Sequence, residues 1–349
     1  MKTHPVICLL FSALCLLSAT ANSSATPAAG LKLSDIEYAV ASGESLKLDI
    51  DIPAGPGPFP AVIYVHGGGW TKGDKTIEGA SLFEPLEKAG IARFSINYRL
   101  APAHKYPASS DDVDTAIRWV KSHAADYNID PARLVLMGDS AGGHLVALAT
   151  TRAADDATTT TTTDATTTTT DATATTDATT TDETLARQRP IQNRVPSEAR
   201  SLASKIENPT TRVAATVVFY GPTDMEKFFL RDAAALPAGH KSPGEAYMGV
   251  TADTPEARQL LREASPIDHV RPGLPPFLLL HGDKDPLVPI AQTVAFEQKL
   301  RAAGVPCEFI IVKGGMHGMK KWDALNSDYV AQVIAWLQKT LNSKTAIGI

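Results

Sequence analysis

The stretch Leu134–Leu148, LVLMGDSAGGHLVAL, constrains the fold of this chain more than any other. An apolar run suited to a buried strand leads into the small residues of Gly138–Gly142, and an apolar helix-like segment follows. Strand, sharp turn and helix around a G-x-S-x-G core form the pattern of a nucleophile elbow. A side chain at Gly138 or Gly142 would clash with the helix that closes the turn. The pattern predicts a strained backbone at Ser140, whose hydroxyl lies at a helix N-terminus that stabilises negative charge.

Apolar strands alternate with helical stretches along most of the chain. Apolar runs suited to buried strands lie at 61–65, 91–96, 134–137, 213–220, 277–280 and 309–312, after a hairpin of two short strands at 36–52. Apolar residues at helical spacing mark 111–123 and 329–341. This alternation predicts an α/β fold with a doubly wound, mostly parallel sheet.

The amino terminus has the pattern of an export signal. Lys2 precedes the apolar run Val6–Leu17, and Ala19–Ala21 is a small-x-small cleavage site, so residues 1–21 are expected to be removed. The apolar run is too short to span a bilayer. We therefore expect a secreted or periplasmic protein without stable membrane insertion.

Removal of this signal changes what the composition implies. Cys8 and Cys15 would be lost, leaving Cys307 without a partner for an internal disulfide. Lys2 is the only charged residue lost, so the formal net charge of −5 becomes −6. This mild acidity argues against nucleic acid or an anionic membrane surface as a partner. No histidine and cysteine cluster has metal-ligand spacing, so we expect no metal and no cofactor, and the sequence leaves the oligomeric state open.

One segment differs in composition from the rest of the chain. Residues 153–182 are all Ala, Asp or Thr, which cannot bury enough apolar surface to fold, so we expect a disordered insertion with polar flanks to about Pro209. It follows the helix that begins at Ser140. That helix runs away from the sheet edge at which Ser140 lies, here called the active edge. The insertion should therefore lie far from Ser140. Residues 221–275 leave a strand at the active edge and should form a small cap.

A second glycine-rich segment, His66–Trp70 (HGGGW), ends a predicted strand upstream of the elbow. Consecutive glycines let backbone N–H groups point at an oxygen that side chains would block. The amides of Gly68 and Gly69, with that of Ala141, are therefore candidate donors of an oxyanion hole. The chain has no phosphate-binding glycine pattern. Trp70 has two interpretations, since its ring could stack on a sugar or aromatic acyl group or pack the glycine loop.

Further motifs follow these in a fixed order. They are Tyr98–Pro102 (YRLAP), His281–Pro289 (HGDKDPLVP) and Gly314–Gly318 (GGMHG). Together with HGGGW and GDSAGG they make the chain similar to α/β-hydrolase esterases of the hormone-sensitive-lipase-like group. Within that group it most closely resembles secreted feruloyl and acetyl xylan esterases. The resemblance implies an α/β-hydrolase domain over residues 22–349, interrupted by the insertion at about 153–209.

The resemblance also implies a catalytic triad in the chain order Ser, Asp, His. Ser140 matches the nucleophile, Asp285 matches the acid, and His317 matches the base, which would pass the seryl proton to the leaving alcohol. Asp283 is a rival for the acid, and we expect it to organise the turn instead.

Other polar residues near the motifs have structural interpretations. Asp139 should brace the elbow, and His144 should pack on the elbow helix. His66 and His281 end strands and should hydrogen-bond neighbouring loops. His269, in the expected cap, is a weaker candidate for substrate contact.

The chain departs from hormone-sensitive lipases before HGGGW, where those proteins have a sizeable helical cap. Only 44 residues separate Asn22 from His66, and most of them have strand patterns. An open site favours the xylan-esterase branch. We therefore expect an exported serine carboxylic ester hydrolase that cleaves short or aromatic acyl groups from small or polysaccharide esters. The alternatives are a serine peptidase of prolyl-oligopeptidase type and a non-catalytic binding protein with a hydrolase fold.

Overall fold

Strands and helices alternate along the chain in this computed structural model, which describes residues 30–76, 80–153, 210–229, 243–250, 253–326 and 328–345. The strands are β1 (Leu31–Ala41), β2 (Glu44–Ile52), β3 (Phe59–Val65), β4 (Ala92–Ile96), β5 (Ile129–Asp139), β6 (Ala215–Phe219), β7 (Phe277–Gly282) and β8 (Cys307–Val312). The helices are α1 (Ala80–Lys88), α2 (Ala108–Ser122), α3 (Ala141–Arg152), α4 (Pro243–Met248), α5 (Pro255–Glu263), α6 (Ile290–Ala302) and α7 (Tyr329–Thr345).

These strands form a single sheet in the order β1-β2-β4-β3-β5-β6-β7-β8. The pairs β1–β2 and β2–β4 are antiparallel, and every pair from β4 to β8 is parallel. Helices cover both faces, so the predicted class, a doubly wound, mostly parallel α/β-hydrolase sheet, is confirmed. The hairpin predicted near the amino terminus is β1–β2, with Ser42 and Gly43 in its turn, and its first strand is longer than expected.

The register of the parallel strands gathers the motif-bearing loops at one edge. Val65, at the end of β3, pairs with Gly138 of β5, and Gly282, at the end of β7, pairs with Val312 of β8. Because parallel strands end at the same edge, the loops after β3, β5, β7 and β8 meet there. This edge is where ligands bind in open α/β sheets.

Alternating side chains of the sheet divide the core into two layers. Val62 and Tyr64 of β3 face the layer that α1 and α7 cover, whereas Ile63 and Val65 face the layer that α2, α3 and α6 cover. Residues Ala141 to Thr151 of α3 are buried on all sides. The helix that follows the elbow is therefore a central element of the core.

Helices α1 and α6 were not predicted. The buried positions of α6 are Gln292, Thr293, Phe296 and Leu300, so half of its inner face is polar. Gln292 accepts hydrogen bonds from the backbone amides of Thr223 and Asp224, which satisfies its buried amide group. A helix whose buried polar side chains are satisfied by hydrogen bonds has no regular apolar face, so apolar periodicity cannot predict it.

Several predicted segments lie wholly or partly outside the described residues. These are the signal at 1–21 and the insertion at about 153–209, of which only Ala153 is described. The expected cap at 221–275 is described in part, by helical residues 225–229, by α4 and α5, and by a 3-10 turn at Pro266–His269. Among the described helices, none is long and apolar enough to span a bilayer.

Candidate active site

Ser140 lies in the turn between β5 and α3 with the backbone strain that the sequence predicts. Its φ of 50° and ψ of −117° belong to a region that side chains rarely adopt. A methyl group added at Gly138 would lie 2.6 Å from the Gly142 backbone, as expected of the closing helix. A methyl group added at Gly142 would lie 2.0 Å from the Val65 carbonyl oxygen. The obstacle at Gly142 is therefore the neighbouring strand β3, not the helix that we had expected.

The structure brings the three predicted triad residues into one hydrogen-bonded chain. The Oγ of Ser140 lies 2.8 Å from Nε2 of His317, and Nδ1 of His317 lies 2.7 Å from Oδ2 of Asp285. The Asp285 side chain is fully buried, whereas the His317 side chain keeps 16% of its surface exposed. This is the geometry in which an imidazole can take a proton from a hydroxyl while a carboxylate fixes its tautomer.

The Asp285 carboxylate receives hydrogen bonds on both oxygens. Its Oδ1 accepts from the amides of Leu287 at 2.8 Å and Val288 at 2.9 Å. Burial by itself would raise the pKa of Asp285, but hydrogen bonds from His281 and His317 outweigh it and hold this pKa well below its usual range. The carboxylate is therefore ionised at neutral pH, as an orienting acid must be.

Asp283 has a different position from Asp285. Its carboxylate accepts a hydrogen bond of 2.7 Å from the Gly314 amide and lies 3.3 Å from the ammonium group of Lys313. It thus joins the loop after β7 to the loop after β8, which is the turn role expected of it.

The glycine loop after β3 lies directly against the elbow. A methyl group added at Gly67 would lie 3.2 Å from Cβ of Ser140. Gly68 and Gly69 have φ angles of 112° and 60°, a conformation that favours glycine. Ala141 is the first residue of α3, so its amide has no intrahelical acceptor. The glycine loop therefore contacts the elbow through Gly67, and Gly68, Gly69 and Ala141 remain the predicted donors of the oxyanion hole.

Asp139 connects the glycine loop to the elbow. Its buried carboxylate accepts hydrogen bonds from the Tyr64 hydroxyl at 2.6 Å and from the Gly67 amide at 3.1 Å. On the other side of the loop, the hydroxyl of Tyr98 donates to the carbonyl of His66 at 3.0 Å, and the two rings stack. Asp139 braces the elbow as expected, and the YRLAP motif supplies a support for the loop that the sequence did not reveal.

Trp70 is packed into the protein rather than presented to solvent. Its side chain is 2% exposed and stacks on Tyr247 of α4, with ring centroids 4.7 Å apart. Its Nε1 donates to Nδ1 of His144, whose Nε2 in turn donates to the carbonyl of Ala264 at 2.7 Å. Burial lowers the pKa of His144 to about 4, so this imidazole is neutral at pH 7. Of the two interpretations of Trp70, the structure supports packing of the glycine loop, and the ring has no open face for a sugar.

The expected cap contacts this loop directly. A methyl group added at Gly69 would lie 2.9 Å from Cβ of Pro243, the first residue of α4. His269, the other candidate for substrate contact, donates through Nε2 to the backbone carbonyl of Glu263 at 2.8 Å, so its ring closes the 3-10 turn onto α5.

Two residues beside the triad were not assigned to it from the sequence. His281 Nε2 lies 3.3 Å from Oδ2 of Asp285, and the ring of Tyr220 lies 4.8 Å from that of His317. Tyr220 has a positive φ of 39°, which is rare for an aromatic residue. Only the positions of these residues in the sequence could have pointed to them. Tyr220 follows β6 at the sheet edge where Ser140 lies, and His281 precedes Asp285 by four residues. Among the described residues, no cluster of histidine, cysteine and carboxylate groups could hold a metal.

The sheet order and the hydrogen-bonded chain at its edge define an α/β-hydrolase. The chain belongs to the BD-FAE family, which matches residues 48–300. It is 32% identical to Esterase LipQ of Mycobacterium tuberculosis over 78% of this chain and 53% of that protein. The chain spans about half the length of the curated relatives it matches. The resemblance to hormone-sensitive-lipase-like esterases is confirmed.

Solved structures show the same fold. A truncated form of a carbohydrate esterase from gut microbiota superposes with a TM-score of 0.66 at 28% identity, over 89% of this chain and 96% of that one. An acetyl ester-xyloside bifunctional hydrolase from Caldicellulosiruptor lactoaceticus superposes with a TM-score of 0.64 at 22% identity, over 91% and 98% of the two chains.

Proposed function

We propose that this protein is a serine carboxylic ester hydrolase. The observation that carries the proposal is the continuous hydrogen-bonded chain from Ser140 through His317 to Asp285, beside a loop of glycine amides. The protein names among its relatives support it, since these include esterases and a carboxylic ester hydrolase.

In the first half of the reaction, Nε2 of His317 takes the proton of the Ser140 hydroxyl as Oγ attacks the ester carbonyl carbon. The carbonyl oxygen becomes an oxyanion, which accepts hydrogen bonds from the backbone amides of Gly68, Gly69 and Ala141. The imidazolium then gives its proton to the leaving alcohol, and the acyl group stays on Ser140. Asp285 remains ionised throughout and stabilises the imidazolium.

In the second half, water takes the place of the alcohol. His317 removes a proton from water as its oxygen attacks the acyl carbon, and the same amides bind the second oxyanion. The proton returns to Oγ of Ser140 as the carboxylic acid leaves, so the enzyme is regenerated without a cofactor.

We propose a short acyl group, acetyl above all, as the part of the substrate that this site accepts. Residues 31–52 form the hairpin β1–β2 at the sheet edge instead of a helical lid. With Trp70 buried, the glycine loop offers no tryptophan face to a feruloyl ring. The names of two similar structures, a carbohydrate esterase and an acetyl ester-xyloside hydrolase, support a carbohydrate as the alcohol. The signal pattern at 1–21 supports export to the periplasm or the medium.

One assay tests both the reaction and the acyl preference. Purified protein is given chromogenic acetate, butyrate, octanoate and palmitate esters of one alcohol, with Ser140→Ala as the inactive variant and Ser122→Ala, on the surface of α2, as the matched control. We expect Ser140→Ala to fold normally and to lose at least about 10⁴-fold in kcat. Along the acyl series kcat/KM should not rise, because a methylene that stays in water contributes none of the roughly 0.8 kcal/mol that its burial would supply.

Two results would contradict these proposals separately. Wild-type turnover by Ser140→Ala would remove the serine mechanism. A kcat/KM that rises toward palmitate would leave the mechanism intact and reject the short-acyl preference. Rates of acid release from acetylated xylan and from feruloylated oligosaccharide then show which polysaccharide ester the enzyme prefers. We expect faster release of acetate.

A further inference from the structure

The carboxylate of Asp285 has two histidine neighbours, and the mechanism above uses one of them. His317 Nδ1 lies 2.7 Å from Oδ2, and His281 Nε2 lies 3.3 Å from the same oxygen. The side chains of His281 and Asp285 are both fully buried. A triad needs only one imidazole, so the second requires its own explanation.

The hydrogen bonds of His281 determine which ring nitrogen carries its proton. Nε2 lies 2.9 Å from the carbonyl oxygen of Val288, and Nδ1 lies 2.7 Å from the hydroxyl of Thr293. A carbonyl oxygen can only accept, so Nε2 carries the hydrogen and the Thr293 hydroxyl donates to Nδ1. The Nε2–H of His281 therefore donates to the Val288 carbonyl, and Oδ2 of Asp285 lies 3.3 Å from the same nitrogen.

We infer that His281 is a positioning residue of the acid–base pair. Its Nε2–H, 3.3 Å from Oδ2 of Asp285, attracts that oxygen and takes up part of its negative charge. The backbone amides of Leu287 and Val288 bind Oδ1, so His281 is the second side chain, besides that of His317, that lies against Oδ2. This inference rests on the proposed function, because it gives His281 a role within the proposed triad.

The surroundings of the pair allow the effect of His281 on pH dependence to be isolated. Among the described residues, the other titratable ring against the pair is Tyr220, which lies 4.8 Å from His317 and 6.4 Å from His281, centroid to centroid. Asp283 and Lys313 pair with each other on the adjoining turn. Hydrogen bonds from both histidines hold the pKa of Asp285 low against its burial. Loss of the His281 donor leaves more carboxylate charge for the His317 imidazolium, which favours protonation of the base.

Two substitutions at His281 separate positioning from packing. Glutamine can place an amide N–H near the position of Nε2, whereas leucine fills similar space without a donor. With a chromogenic acetate ester, we expect His281→Leu to lower kcat about tenfold with KM within about twofold. The acid limb of its kcat/KM profile should move to higher pH by about half a unit. His281→Gln should stay within about threefold of wild-type kcat, with the acid limb in place.

Thermal unfolding of each variant supplies the control for a merely structural role. If His281 only packs the core, both variants lose stability and kcat together, and the acid limb does not move. That pattern, or wild-type kinetics in His281→Leu, would overturn the inference while leaving the proposed function standing. A wild-type protein with no esterase activity would overturn both.

A further variant covers the case in which His281→Leu does not fold. Thr293→Val removes the donor to Nδ1 and leaves Asp285 untouched. The Val288 carbonyl still fixes the tautomer of His281, but the ring loses one of the two hydrogen bonds that hold its orientation. We expect kcat to fall about threefold and the acid limb to move in the same direction as in His281→Leu. Unchanged kinetics in a folded Thr293→Val would overturn the inference.

Discussion

The site has a nucleophile side, made of residues 66–70 and 138–144, and an acid–base side, made of residues 281–288 and 314–318. On the nucleophile side the backbone itself is fixed by close contacts. A methyl group at Gly68 would lie 2.0 Å from the Lys72 carbonyl oxygen, and one at Gly142 would lie 2.0 Å from that of Val65. The functional groups there are largely backbone amides, so their positions are determined by the backbone conformations that these close contacts allow.

The acid–base side is held by side-chain hydrogen bonds instead. Asp285 reaches His317 because backbone amides fix one of its oxygens, while His317 binds the other and His281 lies 3.3 Å from it. Asp283 joins the same two loops through the Gly314 amide. An added side chain either fits beside a fixed backbone or prevents folding, whereas the protein can lose one hydrogen bond of a network and still fold. The two sides should therefore fail differently when mutated: the glycines of the nucleophile side through folding, and the side chains of the acid–base side, like Ser140 itself, through chemistry.

The largest effect is expected on the acid–base side. Asp285→Asn keeps the shape of the side chain but removes the charge that stabilises the imidazolium and fixes its tautomer. We expect kcat on an acetate ester to fall about 10³- to 10⁴-fold. Asp283→Asn, the matched control two residues away, should stay within about fivefold, because it contacts the Gly314 amide and not the base. A larger loss in Asp283→Asn than in Asp285→Asn would show that the acid has been misassigned.

The nucleophile side should respond in stability rather than in kcat alone. Gly142→Ala places a methyl group against the backbone carbonyls of Val65 and His66, which cannot move aside without disturbing β3. We expect it to lower the free energy of unfolding by more than about 4 kcal/mol. Gly304→Ala is the control: Gly304 has a positive φ, 72°, but open space around it, so only about 1 kcal/mol of backbone strain is expected. Equal urea midpoints for the two variants would contradict the steric argument.

This contrast also explains how far the sequence could predict the site. The strain at Ser140 and the need for Gly138 follow from local sterics, which a pentapeptide pattern already contains. The resemblance to α/β-hydrolase esterases identified Asp285 and His317, and the parallel strands bring the loops that carry them to one edge of the sheet. The burial of Trp70 could not be predicted, since it depends on a stack with Tyr247 from a distant segment of the chain.

The second histidine on Asp285 escaped prediction for a related reason. The sequence placed His281 at a strand end and led us to expect a hydrogen bond to a loop, which it makes to the Val288 carbonyl. Its contact with Asp285 depends on how the turn after β7 folds back. Its ring orientation depends also on Thr293, in a helix that apolar periodicity did not mark. Side-chain networks of this kind can be identified only when the three-dimensional positions of the turn and the helix are known.

Buried histidines on the nucleophile side should make the protein sensitive to acid. Burial lowers the pKa of His144 to about 4, whereas an unfolded histidine titrates near 6.5. Between these values the unfolded state binds the extra proton, so stability is lost as pH falls through this window. From pH 7 to pH 4.5, His144 should account for a loss of about 2 kcal/mol in the free energy of unfolding.

Urea denaturation at the two pH values measures this contribution. His144→Gln should lose less stability between pH 7 and pH 4.5 than the wild type does, by about 2 kcal/mol. His104→Gln, which removes a surface imidazole beside Glu44, is the control for a histidine substitution outside the core. An identical pH difference in His144→Gln and the wild type would mean that His144 does not enter the linkage.

The smallest effect is expected from a change that touches neither side of the site. The segment predicted as an insertion joins two described ends, the end of α3 and the residues before β6. Arg271 donates hydrogen bonds to the carbonyls of Thr151 and Ala153, and the Lys121 ammonium donates to those of Thr210 and Arg212. Both ends are thus fixed by basic side chains of the folded body.

Distance from Ser140 then decides the outcome of removing the segment. Helix α3 has 12 residues and begins beside Ser140, so its far end lies about 18 Å away. Replacing residues 154–182 with a short Gly/Ser linker should leave kcat/KM on an acetate ester within about threefold, ~0.7 kcal/mol. Thermal stability should change little, because loop-closure entropy grows slowly with loop length. If the variant keeps its melting temperature but loses far more activity than this, residues 154–182 act on the site, and the two sides defined above do not make up all of it.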